Sequence, residues 1–142
     1  MSDPIKMYGP YTSMNDAAKA GFKNVINEKP LRHSFEFAFW VVLKPIPGKA
    51  ATYCFTEPHT DEEHTQVKLK APPELRDNIR AFCHTHPIKQ TTRRDFGWDD
   101  KGRFQESRKF FPTIAWYLLN PFDDLLYAND EEQFPGGKDL KW

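Results

Sequence analysis

The sequence predicts an α+β domain, a mostly antiparallel or mixed β-sheet flanked by helices. Two stretches carry helical spacing, residues 13–29 and about 98–110, which predicts two helices. Short aromatic and β-branched runs punctuated by Gly, Pro and Asn fill the rest, as strands and turns do. The connections between those runs are short, which favours antiparallel hairpins over crossovers. At 142 residues the chain suits one domain with its own core. Its 12 Phe, 5 Tyr and 4 Trp are too much aromatic mass for a disordered chain.

Each element follows from local signals. Residues 1–12 are broken by Pro4, Gly9 and Pro10 and are expected to form a flexible arm. Ser13, with Asp16 three residues on, opens a helix through an approximate capping box. Ala17, Ala20, Phe22 and Val25 form its apolar stripe, and Pro30 ends it near Asn27 to Lys29. Phe35 to Leu43 and Ala51 to Thr56 read as a hairpin turning at Gly48. Pro58 to Glu63 is a polar loop, and Thr65 to Lys70 alternates as a half-exposed strand. Pro72-Pro73 is a break, followed by at most one helical turn over Glu74 to Asn78. Ile79 to His84 alternates as a strand, residues 87–97 are a loop, and a helix runs from about Trp98 to Phe110. Thr113 to Leu119 and Leu125 to Tyr127 make a closing hairpin. Residues 131–142 contain Pro135-Gly136-Gly137 and are expected to be a loose tail, leaving 13–130 as the domain.

Composition excludes several function classes. There are 20 Lys+Arg against 20 Asp+Glu, so no basic excess favours a nucleic-acid partner. The longest apolar runs, Phe35 to Leu43 and Ile114 to Leu119, are too short to span a bilayer. Met1-Ser2-Asp3-Pro4 is not followed by a basic stretch and an apolar one, so no signal peptide is expected there. Two cysteines, Cys54 and Cys83, do not make a disulfide scaffold, so a reducing compartment is expected.

The chemistry centres on His84-Thr85-His86-Pro87. Residues i and i+2 of an extended segment point to the same side, so two imidazoles there converge as zinc ligands do. Pro87 suits a strand terminus because it cannot donate to the ladder. Asp95, Asp99 and Asp100 lie downstream and offer a third, oxygen ligand. Two histidines and one carboxylate leave a fourth position for water, which distinguishes a catalytic site from a closed structural one. Glu36 is the one acidic residue within Phe35 to Leu43, among Phe35, Phe37, Phe39 and Trp40. A lone carboxylate in such a strand is costly to bury unless it has a partner or a task, and general base is the task that fits. The plainer alternatives are a structural His-X-His, and a Glu36 paired with Arg32 or a lysine. His33, His59 and His64 lie in polar stretches and are expected to be solvated. Cys83 faces away from His84, into the core.

A strand glutamate, then His-X-His-Pro, then a Ser-X-X-Asp-like segment resembles the signature of the JAMM (MPN-plus) metalloproteases. More specifically, the chain is similar to a bacterial JAMM-like domain found at the C-termini of polymorphic, secretion-linked toxins. The matching stretches are Asp16-Ala17-Ala18, Phe35 to Trp40, Tyr53 to Pro58, Phe82 to Pro87, Phe96 to Asp100 and Trp116 to Pro121. Together they span most of residues 13–130. The resemblance implies a single JAMM-like (cytidine-deaminase-like) domain with zinc as cofactor. It implies His84 and His86 as ligands and Glu36 as general acid/base. Asp100 would be the third ligand, with Asp99 the near alternative and Asp95 a poorer one. Gly97 occupies the position of the family serine that stabilises the oxyanion, so that help would come from a backbone N–H or another side chain. Losing one such donor typically costs about 10²–10³ in rate.

The function expected is zinc-dependent hydrolysis of peptide or isopeptide bonds in a protein or peptide substrate. The toxin likeness implies an effector domain with a cognate immunity or delivery protein. Its place of action would be the cytoplasm, or a target cell reached by a specialised secretion system. A second class is a catalytically silent JAMM-like binding module whose metal is absent or structural. A third is a cysteine hydrolase on Cys83, disfavoured because neighbouring strand residues point opposite ways.

Overall fold

The computed structural model describes residues 5–61, 70–97 and 99–142. Ser13 opens helix α1 (Met14–Glu28) by accepting a hydrogen bond from Asp16 N at 3.0 Å. This satisfies one of the donors that a helix start leaves without a partner. Ala17, Ala18, Gly21, Phe22 and Val25 line its buried side. Gly21 is required by close approach, since a Cβ there would lie 2.4 Å from the buried Phe39 ring.

That ring belongs to a seven-stranded mixed sheet: β1 (Met7–Tyr11), β2 (Ala38–Lys44), β3 (Thr52–Thr56), β4 (Ile79–Thr85), β5 (Ala115–Leu119), β6 (Leu125–Ala128) and β7 (Lys138–Leu140). Their spatial order is β1-β3-β2-β4-β5-β6-β7. β2 and β3 form the expected hairpin, as do β5 and β6. β4 and β5 are parallel, joined by a crossover that contains helix α2 (Asp100–Phe110). Short connections pointed instead to antiparallel neighbours. The chain from Thr85 to Ala115 is long enough for a helical crossover, and its loop and helix supply it.

Both ends of the chain are more ordered than their Pro and Gly content predicts. Residues 7–11, expected within the arm, are β1 and pair with β3 at one sheet edge. In the expected tail, Phe134 is buried against Phe96 and Phe104, and β7 pairs with β6 at the other edge. In each case an open strand edge offers main-chain partners, which outweighs the turn residues nearby. The strand expected over Thr65 to Lys70 falls, except for Lys70, on residues outside the described set, as does Trp98 at the expected start of α2.

Strand alternation divides the core. Phe39, Val41, Phe55, Ala81, Cys83, Tyr117 and Leu119 pack against α1. Trp40, Phe82, Trp116, Leu118 and Leu126 pack on the opposite face with Phe96, Phe104 and Phe134. Cys83 lies in the α1-side core, where burial pushes its thiol pKa up. No described helix is long and apolar enough to cross a membrane.

Candidate metal centre

Sheet topology brings the sequence-predicted residues to one end of the α2 face. His84 is near the C-terminal end of β4, and His86 follows just beyond it. The His86 backbone N–H donates to Leu119 O at 3.0 Å, which extends the alignment with β5. β2 runs antiparallel to β4 with Ala38 opposite His84, so its lead-in residue Glu36 arrives opposite His86. Glu36 therefore stands just before the strand rather than within it. The crossover returns to the same end, where the first turn of α2 supplies Asp100. Open α/β sheets commonly bind ligands outside the carboxyl ends of their parallel strands, and this site lies at such an end.

The loop before α2 is fixed from several sides. Phe96 N donates to Pro135 O at 2.9 Å, Asn120 Nδ2 donates to Arg94 O at 3.0 Å, and Asp100 N donates to Gly97 O at 3.1 Å. Asp95, one of the three candidate aspartates, pairs with Arg93, and Asp99 is exposed. Asp100 is buried and faces the histidines. Its Oδ2 lies 3.3 Å from Nε2 of His84 and 3.3 Å from Nε2 of His86. The same oxygen accepts Gly97 N–H at 2.9 Å, while Oδ1 lies 3.4 Å from Nη1 of Arg103. Glu36 is also buried, with Oε1 3.8 Å from His86 Nε2. Glu36, His84 and His86 offer donor atoms within 4.8 Å of one another and could hold a metal ion.

These distances suit an ion site as well as a hydrogen-bond network. Asp100 Oδ2 has two lone pairs but faces three nitrogens, so hydrogen bonding alone over-subscribes it. An ion between the three side chains would use one lone pair from each ring and one from the oxygen. Bond lengths of about 2.0–2.1 Å in a tetrahedron place neighbouring ligand atoms about 3.4 Å apart, and both nitrogen–oxygen separations are 3.3 Å. The nitrogen and oxygen donors brought together here could hold a metal ion.

Electrostatics agree with ligand-ready groups. Burial pushes His84 down to about 4, because its ring is enclosed by Phe82, Trp116 and Phe96. Burial alone would raise the Asp100 carboxyl, but His84 and His86 overcome it and hold it well below the usual carboxylate range. The ring is thus neutral and the carboxylate ionised at neutral pH, the forms that bind metal. A stability prediction follows for metal-free protein. An unfolded His84 takes a proton near pH 6.5, whereas the folded one does so only near pH 4. This contribution is complete above pH 6.5 and is lost as pH falls toward 4, amounting to about 3 kcal/mol. Thermal melts of chelator-treated protein across this range should show the decline, and it should be absent in a folded His84→Phe variant.

His59 is exposed, as expected, and hydrogen-bonded to Asp61 at 2.7 Å. Its backbone bridges Ala38 on the side opposite His84, so both histidines lie on the site face of the sheet. Sequence reasoning missed Arg103, and its i+3 spacing from Asp100 on the helix was the signal available. His33 is exposed, and His64 lies outside the described residues. Arg32 pairs with Asp123 rather than with Glu36. No protein-family model, curated protein or solved structure matches this chain.

Proposed function

We propose that the chain is a zinc-dependent hydrolase of peptide or isopeptide bonds, with a JAMM-like fold and centre. The observation that carries this reading is the convergence of His84, His86 and Asp100 at 3.3 Å separations, with Glu36 beside them. His84, His86 and Asp100 would hold the metal, leaving a fourth position open. Bound there, zinc supplies Lewis acidity, which brings the pKa of water near neutrality and polarises a carbonyl.

The remaining chemistry belongs to the protein. Glu36 accepts a proton from water at its carboxylate and returns it to the leaving nitrogen, a role suited to a buried carboxylate at the edge of the centre. Phe82, Phe96 and Trp116 exclude water behind His84. Gly97 marks the weak point: it has no hydroxyl, and its N–H is committed to Asp100. A side chain is tolerated there, because an added Cβ would meet Asp100 Oδ2 and His86 Cε1 at 3.7 Å, ordinary contact. Gly97→Ser is therefore expected to fold, keep its metal and raise kcat about tenfold or more.

The test is zinc-loaded protein incubated with linear peptides and lysine-linked isopeptides, with cleavage read by mass spectrometry. Cleavage by wild type supports the hydrolase. The committed Gly97 N–H favours one other reading, a metal-holding binding module. Zinc uptake with no cleavage by wild type or Gly97→Ser would select that module.

A further inference from the structure

The two oxygens of Asp100 have different partners. Oδ2 turns to both imidazoles and to Gly97 N–H, whereas Oδ1 turns to the guanidinium of Arg103. Arg103 is one helical turn further along α2 and is itself seated over the Trp116 ring, 5.7 Å from its centroid. Trp116 packs in turn on His84, at 5.2 Å between ring centroids. Metal-binding imidazoles ordinarily donate their second nitrogen to an outer acceptor that fixes the ring. Here Nδ1 of His84 and Nδ1 of His86 are buried, and neither has a hydrogen-bond partner among the described residues. Packing therefore sets the orientation of the rings. The outer charge on the centre falls on Asp100 instead.

We infer that Arg103 is a positioning residue that holds Asp100 as a one-oxygen metal ligand and so keeps the fourth coordination position open. A carboxylate can chelate a metal through one oxygen or both, and the Arg103 charge beside Oδ1 opposes the second mode. Without that charge Asp100 is free to rotate, both oxygens reach the ion, and a five-coordinate centre forms in which the water position is crowded. Arginine suits the role because its planar fork stays charged at every working pH and stacks on an aromatic face. The inference rests on the metal-centre reading and extends it to a residue that touches no substrate.

Co²⁺ alone serves as the probe, because its visible d–d bands distinguish four-coordinate from five-coordinate ions. Wild type, Arg103→Met and Arg103→Lys would be titrated with Co²⁺, and their zinc affinities measured by chelator competition. Arg103→Met is expected to shift Co²⁺ to the weaker five-coordinate spectrum and to leave zinc affinity no lower than wild type, because a donor oxygen is gained and a neighbouring charge is lost. Arg103→Lys should restore most of the wild-type spectrum, which a purely structural role would not require. Circular dichroism checks that both variants fold, as the partly exposed Arg103 allows, and Arg103→Gln, which also removes the charge, takes the place of Arg103→Met if that variant does not fold. A wild-type Co²⁺ spectrum in Arg103→Met, or zinc binding weakened more than about tenfold, would overturn the inference while leaving the metal centre intact. Failure of wild type to take up Co²⁺ would overturn both.

Discussion

Glu36→Gln is expected to lower kcat by about 10²–10⁴-fold while leaving zinc content unchanged. The substitution keeps size and hydrogen-bonding shape but removes the capacity to accept a proton. Glu36 stands at the lead-in to β2, buried and 3.8 Å from His86, further from the imidazoles than Asp100 is. That placement suits a proton carrier beside the metal more than a ligand of it. Its donor oxygen is nonetheless close enough to His84 and His86 to coordinate an ion, so the assignment is decided by two measurements on one variant. Turnover lost with zinc retained assigns Glu36 as the base. Turnover and zinc lost together would make Glu36 a ligand and leave the proton carrier to another group.

Asp100→Ala and His84→Ala are each expected to weaken zinc binding more than about a hundredfold, beyond what loss of an outer partner costs. Removing either leaves one nitrogen–oxygen or one nitrogen–nitrogen pair to hold the ion. Asp99→Ala and Asp95→Ala should leave affinity unchanged, because Asp99 is exposed and Asp95 is paired with Arg93. Chelator competition on the four variants measures this directly. Zinc lost in Asp99→Ala but kept in Asp100→Ala would contradict the geometry of the loop before α2.

Much of this arrangement was legible in the residues. The helix cap at Ser13, the β2–β3 and β5–β6 hairpins and the strand ending at Thr85 all follow from local periodicity and turn chemistry. Two histidines at i and i+2 had to share a face, and the acidic stretch after them offered Asp100 beside Asp95 and Asp99, with the resemblance favouring Asp100. Long-range pairing was not legible. Nothing local in Met7–Tyr11 or Lys138–Leu140 says that open sheet edges will recruit them. The parallel alignment of β4 with β5 depends on how a loop and helix return, which no window of sequence encodes. His59 reached the site face for the same reason, since only its bridge to Ala38 places it there. Arg103 could have been found from its spacing to Asp100, but a charged residue on a polar helix face reads as solvated until its partner is known.

Elemental analysis of wild-type protein purified without chelators tests whether His84, His86 and Asp100 hold a metal. About one zinc per chain is expected, lost in the His84→Ala, His86→Ala and Asp100→Ala variants. Wild-type protein that holds no metal even after zinc is supplied would contradict that expectation.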